Sequence, residues 1–98
     1  GLAVYGGADG AGLLLATDQL LGSSRYLAYR REGRPGAPHD HSEVVAVLEG
    51  GADATDGLDA TAAPLGPSFP HGLVVAMNDG GRNFLFYRPE DLGLVSPR

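Results

Sequence analysis

Apolar residues fall in short runs along this chain, and glycine-rich turns separate the runs. Leu2-Ala3-Val4-Tyr5 is closed by Gly6-Gly7. A turn cluster, Ala8 to Gly12, leads into the continuous run Leu13-Leu14-Leu15-Ala16-Thr17, the pattern of a strand buried on both faces. Gly22-Ser23-Ser24 turns the chain into Tyr26-Leu27-Ala28-Tyr29-Arg30-Arg31-Glu32, a third strand that becomes polar at its end. A Gly/Pro loop from Gly33 to His41 precedes Val44-Val45-Ala46-Val47-Leu48. Four strands joined by hairpins are expected from residues 2–48, with no substantial helix.

The pattern then begins again. Asp56-Gly57-Leu58-Asp59-Ala60-Thr61 opens it, and Pro64 to His71 is a turn segment. Leu73-Val74-Val75-Ala76-Met77 reads as a buried strand, Asp79-Gly80-Gly81 as a turn, and Phe84-Leu85-Phe86-Tyr87-Arg88 as a last strand. A short helical turn near Pro89 to Leu92 is compatible with this reading. The two halves align: Gly1-Leu2 with Gly57-Leu58, Gly12-Leu13 with Gly72-Leu73, Ala16-Thr17-Asp18 with Ala76-Met77-Asn78, and Tyr29-Arg30-Arg31-Glu32 with Tyr87-Arg88-Pro89-Glu90. A repeat of roughly 56–60 residues with four or fewer strands per unit is the mark of β-propeller blades. The expected fold is all-β, with about two antiparallel four-stranded blades. One spans residues 1–49, and a last, incomplete blade spans residues 50–95. A ring of 4–8 such blades needs roughly 230–460 residues, and the chain has 98. Its start directly in an apolar strand pattern suggests truncation.

Composition narrows the chemistry. The net charge is −5, every basic residue is arginine, and no basic run exists, which argues against nucleic acid as a partner. The absence of cysteine excludes disulfides and thiolate metal sites. The longest uncharged run, Ala60 to Asn78, carries Pro64, Pro67 and Pro70 and is a poor membrane-spanning helix. The N-terminal stretch lacks the basic flank of a signal peptide.

One segment stands out, Gly50-Gly51-Ala52-Asp53-Ala54-Thr55-Asp56-Gly57-Leu58-Asp59, which gathers three carboxylates at the entrance to a strand. Hard cations take such oxygen ligands. The segment is not an EF-hand, because the twelfth position counted from Asp53 is Pro64. Two readings stay open: a cation site, or a solvated Asp-Gly turn. Asp56 and Asp59 point to opposite faces of an extended strand, so Asp56 is the first candidate ligand and Asp53 the second. His39-Asp40-His41 lies in a Pro/Gly loop without a fourth ligand and reads as a solvated tip. His71 reads as a loop or interface residue. Ser23 and Ser24 lack an elbow motif, and Gly6 to Gly10 lacks the lysine of a phosphate loop. Tyr5, Tyr26, Tyr29 and Tyr87 read as strand packing.

Taken in order, these stretches resemble the β-propeller phytases, the calcium-dependent alkaline 3-phytases. The likeness runs through Gly1 to Tyr5, Ala8 to Ala16, Gln19, Ser23-Ser24, Tyr26 to Tyr29, Thr55 to Asp59, Leu65 to Ala76, Asn83-Phe84 and Arg88 to Asp91. The resemblance implies a six-bladed propeller that releases phosphate from phytate. It also implies calcium ions at one end of the channel that bind substrate phosphates and activate water, and a secreted or periplasmic location. Asp56 falls on a calcium-site aspartate of the family. Asp53 or Glu49 would stand in for a further acid upstream. The acids that precede the Gly-Leu start in the family are absent, since the chain begins at Gly1, and its phosphate-holding lysines and arginines lie in other blades. The segment alone is therefore expected to be inactive and to self-associate through open sheet edges. The alternative is a non-catalytic propeller or hairpin-rich binding module.

Overall fold

The computed structural model describes residues 1–7, 11–19, 21–55 and 57–95. These residues form seven strands: β1 (Leu2–Gly6), β2 (Gly12–Asp18), β3 (Arg25–Arg30), β4 (Val44–Glu49), β5 (Leu58–Thr61), β6 (Leu73–Asn78) and β7 (Asn83–Tyr87). One 3₁₀ turn, Pro89–Leu92, follows them and ends at Gly93 in the left-handed region. The strands form two antiparallel meanders, β1-β2-β3-β4 and β5-β6-β7. The fold is all-β, and two such sheets side by side are consistent with part of a propeller.

Within each sheet the strand order follows the chain, as hairpin connections dictate. Leu15 faces Ala3 on one side and Ala28 on the other. The register slips once, where Tyr29 pairs Val44 while Ala28 pairs Ala46. The third strand ends at Arg30, two residues before its expected end. There the Gly33 N–H closes a turn onto the Arg30 carbonyl, with Gly33 in the left-handed region.

The core lies between the two sheets. Alternate residues of each strand point into it, as a period of two requires. The first sheet supplies Tyr5, Leu15, Tyr26, Ala28 and Leu48. The second supplies Val74 and Ala76, with Leu58, Ala60, Leu85 and Tyr87 packed against them. Burying side chains such as Leu15, Tyr26 and Val74 contributes about 1.5–3 kcal/mol each. The innermost strands, β1 and β5, are direct neighbours across this seam. Along Leu13 to Thr17, expected to be buried on both faces, Leu15 is fully enclosed within this chain, and Leu14 and Ala16 are half-exposed. Among the described residues no second layer joins the core from their face of the sheet.

Gly72 is required where the chain enters β6. Its φ is +98°, and a Cβ there would lie 1.9 Å from the Thr61 carbonyl oxygen. The hairpin thus turns with its backbones in contact, a geometry open to glycine. Beside it the Tyr5 hydroxyl donates to the His71 carbonyl and ties β1 to the second sheet. His71 therefore takes part through its backbone, at an interface. Burial, then the nearby Glu90 carboxylate, raises the Tyr5 pKa above the ordinary tyrosine value.

Candidate functional site: the acidic loop across the seam

The loop from Gly50 to Gly57 carries the chain from the far edge of the first sheet to the near edge of the second. A segment that crosses both sheets must satisfy its backbone groups from both. Gly50 begins it. The Tyr87 hydroxyl donates to the Gly50 carbonyl at 2.7 Å and lies 3.1 Å from the Tyr26 hydroxyl. The two rings meet edge to face with centroids 5.9 Å apart. A Cβ on Gly50 would stand 2.5 Å from the Tyr26 ring and 2.7 Å from the Tyr87 hydroxyl oxygen, so only glycine lets the chain pass. Burial, reinforced by the Tyr26 hydroxyl, pushes the Tyr87 pKa well above the ordinary tyrosine range.

The next residues are held from both sides. Ala52 is fully buried, and its carbonyl accepts the Ser24 N–H at 2.6 Å. Asp53 accepts the Gly22 N–H on Oδ1 at 2.6 Å. Its own N–H donates to Asn78 Oδ1 at 2.9 Å, and its carbonyl accepts the Asp79 N–H at 3.0 Å. Asp53 therefore joins the β2–β3 turn of one sheet to the β6–β7 turn of the other. Its second oxygen packs on Gly80, where a Cβ would come within 2.7 Å.

Ala54 is held at φ 45°, a left-handed conformation that a non-glycine residue adopts at a cost of about 1–2 kcal/mol. Gln19 Nε2 donates to its carbonyl at 3.1 Å. Thr55 is fully buried. Its N–H donates to Ser24 Oγ at 2.9 Å and its hydroxyl donates to the Met77 carbonyl. Beyond the loop, the Met77 N–H donates to the Gly57 carbonyl at 3.0 Å.

Asp56, the first candidate ligand, lies outside the described residues. Asp53, the second, has one carboxylate oxygen committed to Gly22, which leaves Oδ2 for a cation. Asp59 is exposed on β5, with Oδ1 accepting its neighbour's N–H from Ala60. Glu49 is exposed at the end of β4, opposite Arg25, and Arg25 pairs with Asp18. Among the described residues no three His, Cys, Asp or Glu side chains gather as a metal centre. In the His39-Asp40-His41 loop, Asp40 accepts both the N–H and the hydroxyl of Ser42, and these bonds lower its pKa. His41 Nε2 is bonded to the Arg31 carbonyl at 2.9 Å.

Sequence reasoning singled out the acids of this loop and passed over Ser24, Thr55 and Asn78, which hold it. The internal repeat carried a signal for one of them. Asn78 occupies the place in β6 that Asp18 occupies in β2, the strand end nearest the loop.

A sequence model of the phytase family matches residues 1–84. The chain belongs to the phytase family. The 3-phytase of Bacillus subtilis (strain 168) is 32% identical over 78 residues, which covers 80% of this chain and 20% of that relative. The chain thus spans about one fifth of the length of the curated relative it matches. The seam and its loop are therefore one sector of a phytase-family structure.

Proposed function

We propose that this chain is a sector of a calcium-dependent 3-phytase, a phosphomonoester hydrolase acting on phytate. The match to the phytase family over residues 1–84 carries the reading. In it Asp56 is a calcium ligand of the whole protein, and Asp53 and Thr55 anchor the loop that precedes it. Asp53 offers at most its Oδ2 to the same ion. The ordered loop supports this division of labour. Each residue from Ala52 to Thr55 is tied to a turn or strand end, and positioning around a metal site matters because errors of ~1 Å can cost about a hundredfold in rate.

The 98-residue chain by itself does not turn over phytate in this reading, because ligands and phosphate-binding cations must converge from other parts of the protein. A secreted or periplasmic setting goes with the assignment.

The test is made in a full-length protein that contains this segment. Asp56→Asn should raise the calcium concentration needed for half-maximal phosphate release from phytate. Asp53→Asn should lower the rate with a smaller shift in calcium dependence. An unchanged calcium titration in Asp56→Asn removes Asp56 from the site. Calcium-dependent phosphate release by the 98-residue chain, abolished by Asp56→Asn, overturns the claim that it is inactive alone.

A further inference from the structure

The β6–β7 hairpin ends in a pair of amides. Asn78 and Asn83 are cross-strand partners, and Asn78 Nδ2 donates to Asn83 Oδ1 at 3.0 Å. The other arm of the Asn78 amide leaves the hairpin, where Oδ1 accepts the Asp53 N–H at 2.9 Å. A backbone N–H only donates, so it dictates that the Asn78 oxygen faces the loop. The bond to Asn83 then holds the amide in that orientation.

The internal repeat shows that this arrangement is not the default for such a hairpin. Asp18 and Arg25 hold in the first sheet the places that Asn78 and Asn83 hold in the second, and they too are cross-strand partners. Their pair is ionic: Arg25 donates from both Nε and Nη2 to Asp18 Oδ2. That pair closes its own hairpin. The amide pair closes its hairpin with one bond and lends an acceptor to the acidic loop, without adding a carboxylate beside Asp53.

The two glycines of the turn clear the space this needs. A Cβ on Gly81 would stand 2.6 Å from Asn83 Oδ1 and 2.7 Å from Asn78 Nδ2, and a Cβ on Gly80 would stand 2.7 Å from Asp53 Oδ2. Asp53 is thus gripped at three points: its N–H by Asn78, its carbonyl by the Asp79 N–H, and Oδ1 by the Gly22 N–H. Among the described residues Oδ2 takes no hydrogen bond. A held carboxylate with one oxygen open beside a bare backbone fits a hard cation.

We propose that Asn78, locked by Asn83, is a positioning residue for the cation, acting through Asp53 by fixing where Oδ2 points. The inference rests on the reading that Asp53 offers Oδ2 to the calcium ion. Partners that orient a metal ligand from behind change metal affinity by roughly 10–100-fold when removed.

The experiment follows the thermal midpoint of a full-length protein containing this segment across a calcium titration, without phytate. Asn78→Ala should raise the calcium concentration for half of the midpoint rise by roughly tenfold, and no further than Asp53→Asn does. The double variant should match Asp53→Asn alone, because both changes act on one oxygen. Asn78→Asp keeps an oxygen towards the Asp53 N–H and should recover most of the loss. Asn83→Ala, which frees the Asn78 amide to turn, should shift the titration in the same direction by less, and it carries the test if Asn78→Ala fails to fold. Asp18→Ala, at the matching strand end of the first sheet, should lower the calcium-free midpoint and leave the calcium dependence as it was. An unchanged titration in Asp53→Asn removes Asp53 from the ion, and the role of Asn78 falls with it. A shift in Asp53→Asn overturns the role of Asn78 alone if Asn78→Ala titrates like the parent, if the two shifts multiply in the double variant, or if Asp18→Ala shifts the titration as far as Asn78→Ala.

Discussion

Two loops leave the outer strands of the first sheet, and they are built on opposite plans. The β4–β5 loop, Gly50 to Gly57, sends its polar groups to partners far along the chain: Gly22, Ser24, Met77, Asn78 and Tyr87. The β3–β4 loop, Arg31 to Glu43, bonds almost entirely within itself and to its flanking strand ends. Arg34 and Ala37 form an isolated bridge, Asp40 holds Ser42, and Arg30 reaches Glu43 at 3.1 Å. The first loop is a clip between two sheets and the second is a self-contained turn on one. Loss of a clip bond exposes the seam, whereas loss of a turn bond leaves two exposed groups to water.

That contrast fails first, if it fails, at Gly50. Gly50→Ala drives a methyl group into the Tyr26–Tyr87 contact, where both the ring and the hydroxyl lie under 3 Å from the new atom. Overpacking of this kind costs about 1–3 kcal/mol, and the upper end applies because the Tyr87 bond to Gly50 is disturbed as well. Urea unfolding should show a midpoint far below that of the parent chain. An equal midpoint would mean that the loop moves freely off the tyrosines and is no clip.

Thr55→Val is the sharper cut, because shape is kept and one hydroxyl is removed. The Met77 carbonyl then loses its donor inside the seam, a change of about 1–3 kcal/mol. The same measurement should show the loss, and Thr55→Ser, which keeps the hydroxyl, should recover part of it.

Much of the fold was legible in the sequence. Apolar runs closed by Gly6-Gly7, Gly22-Ser23-Ser24 and Asp79-Gly80-Gly81 correspond to strands β1, β2 and β6, because alternation and turn chemistry are local properties. The burial of β2 was not legible for a non-local reason: five apolar or small residues in a row look the same whether one or both faces are covered, and of these Leu15 alone is fully enclosed within this chain. The loop was legible only in part. Its acids drew attention because charge is visible in composition. Ser24 and Thr55 did not, since a short hydroxyl residue in a turn gains its meaning from a partner 31 residues away.

Alkaline pH tests the clip without changing its side chains. An unfolded tyrosine ionises near pH ~10, while burial and the Tyr26 hydroxyl hold Tyr87 protonated to higher pH. The folded state then binds the proton more tightly than the unfolded state, so Tyr87 contributes stability that is fully present below pH ~10 and lost progressively as pH rises beyond it. The thermal midpoint should fall more steeply above pH ~10 in the parent chain than in Tyr87→Phe. Parallel curves would show that Tyr87 ionises as freely in the fold as out of it.

The smallest effect belongs to the other loop. Asp40 has a lowered pKa, caused first by the Ser42 hydroxyl and then by the Ser42 N–H, so its contribution is present at neutral pH and fades as pH falls through the folded pKa. The carboxylate faces water and its bonds span two residues. Its 3.8 Å approach to Arg34 is an exposed pair of the kind that contributes little. Asp40→Ala should therefore shift the thermal midpoint by less than about 3 °C at neutral pH. It should also leave Tyr87→Phe and Thr55→Val with the same effects they have in the parent chain, since neither shares a partner with Asp40 and distant sites add independently. A large shift, or a change in the Thr55→Val effect, would mean that the β3–β4 loop is coupled to the seam through the first sheet and that the two loops are not built on separate plans.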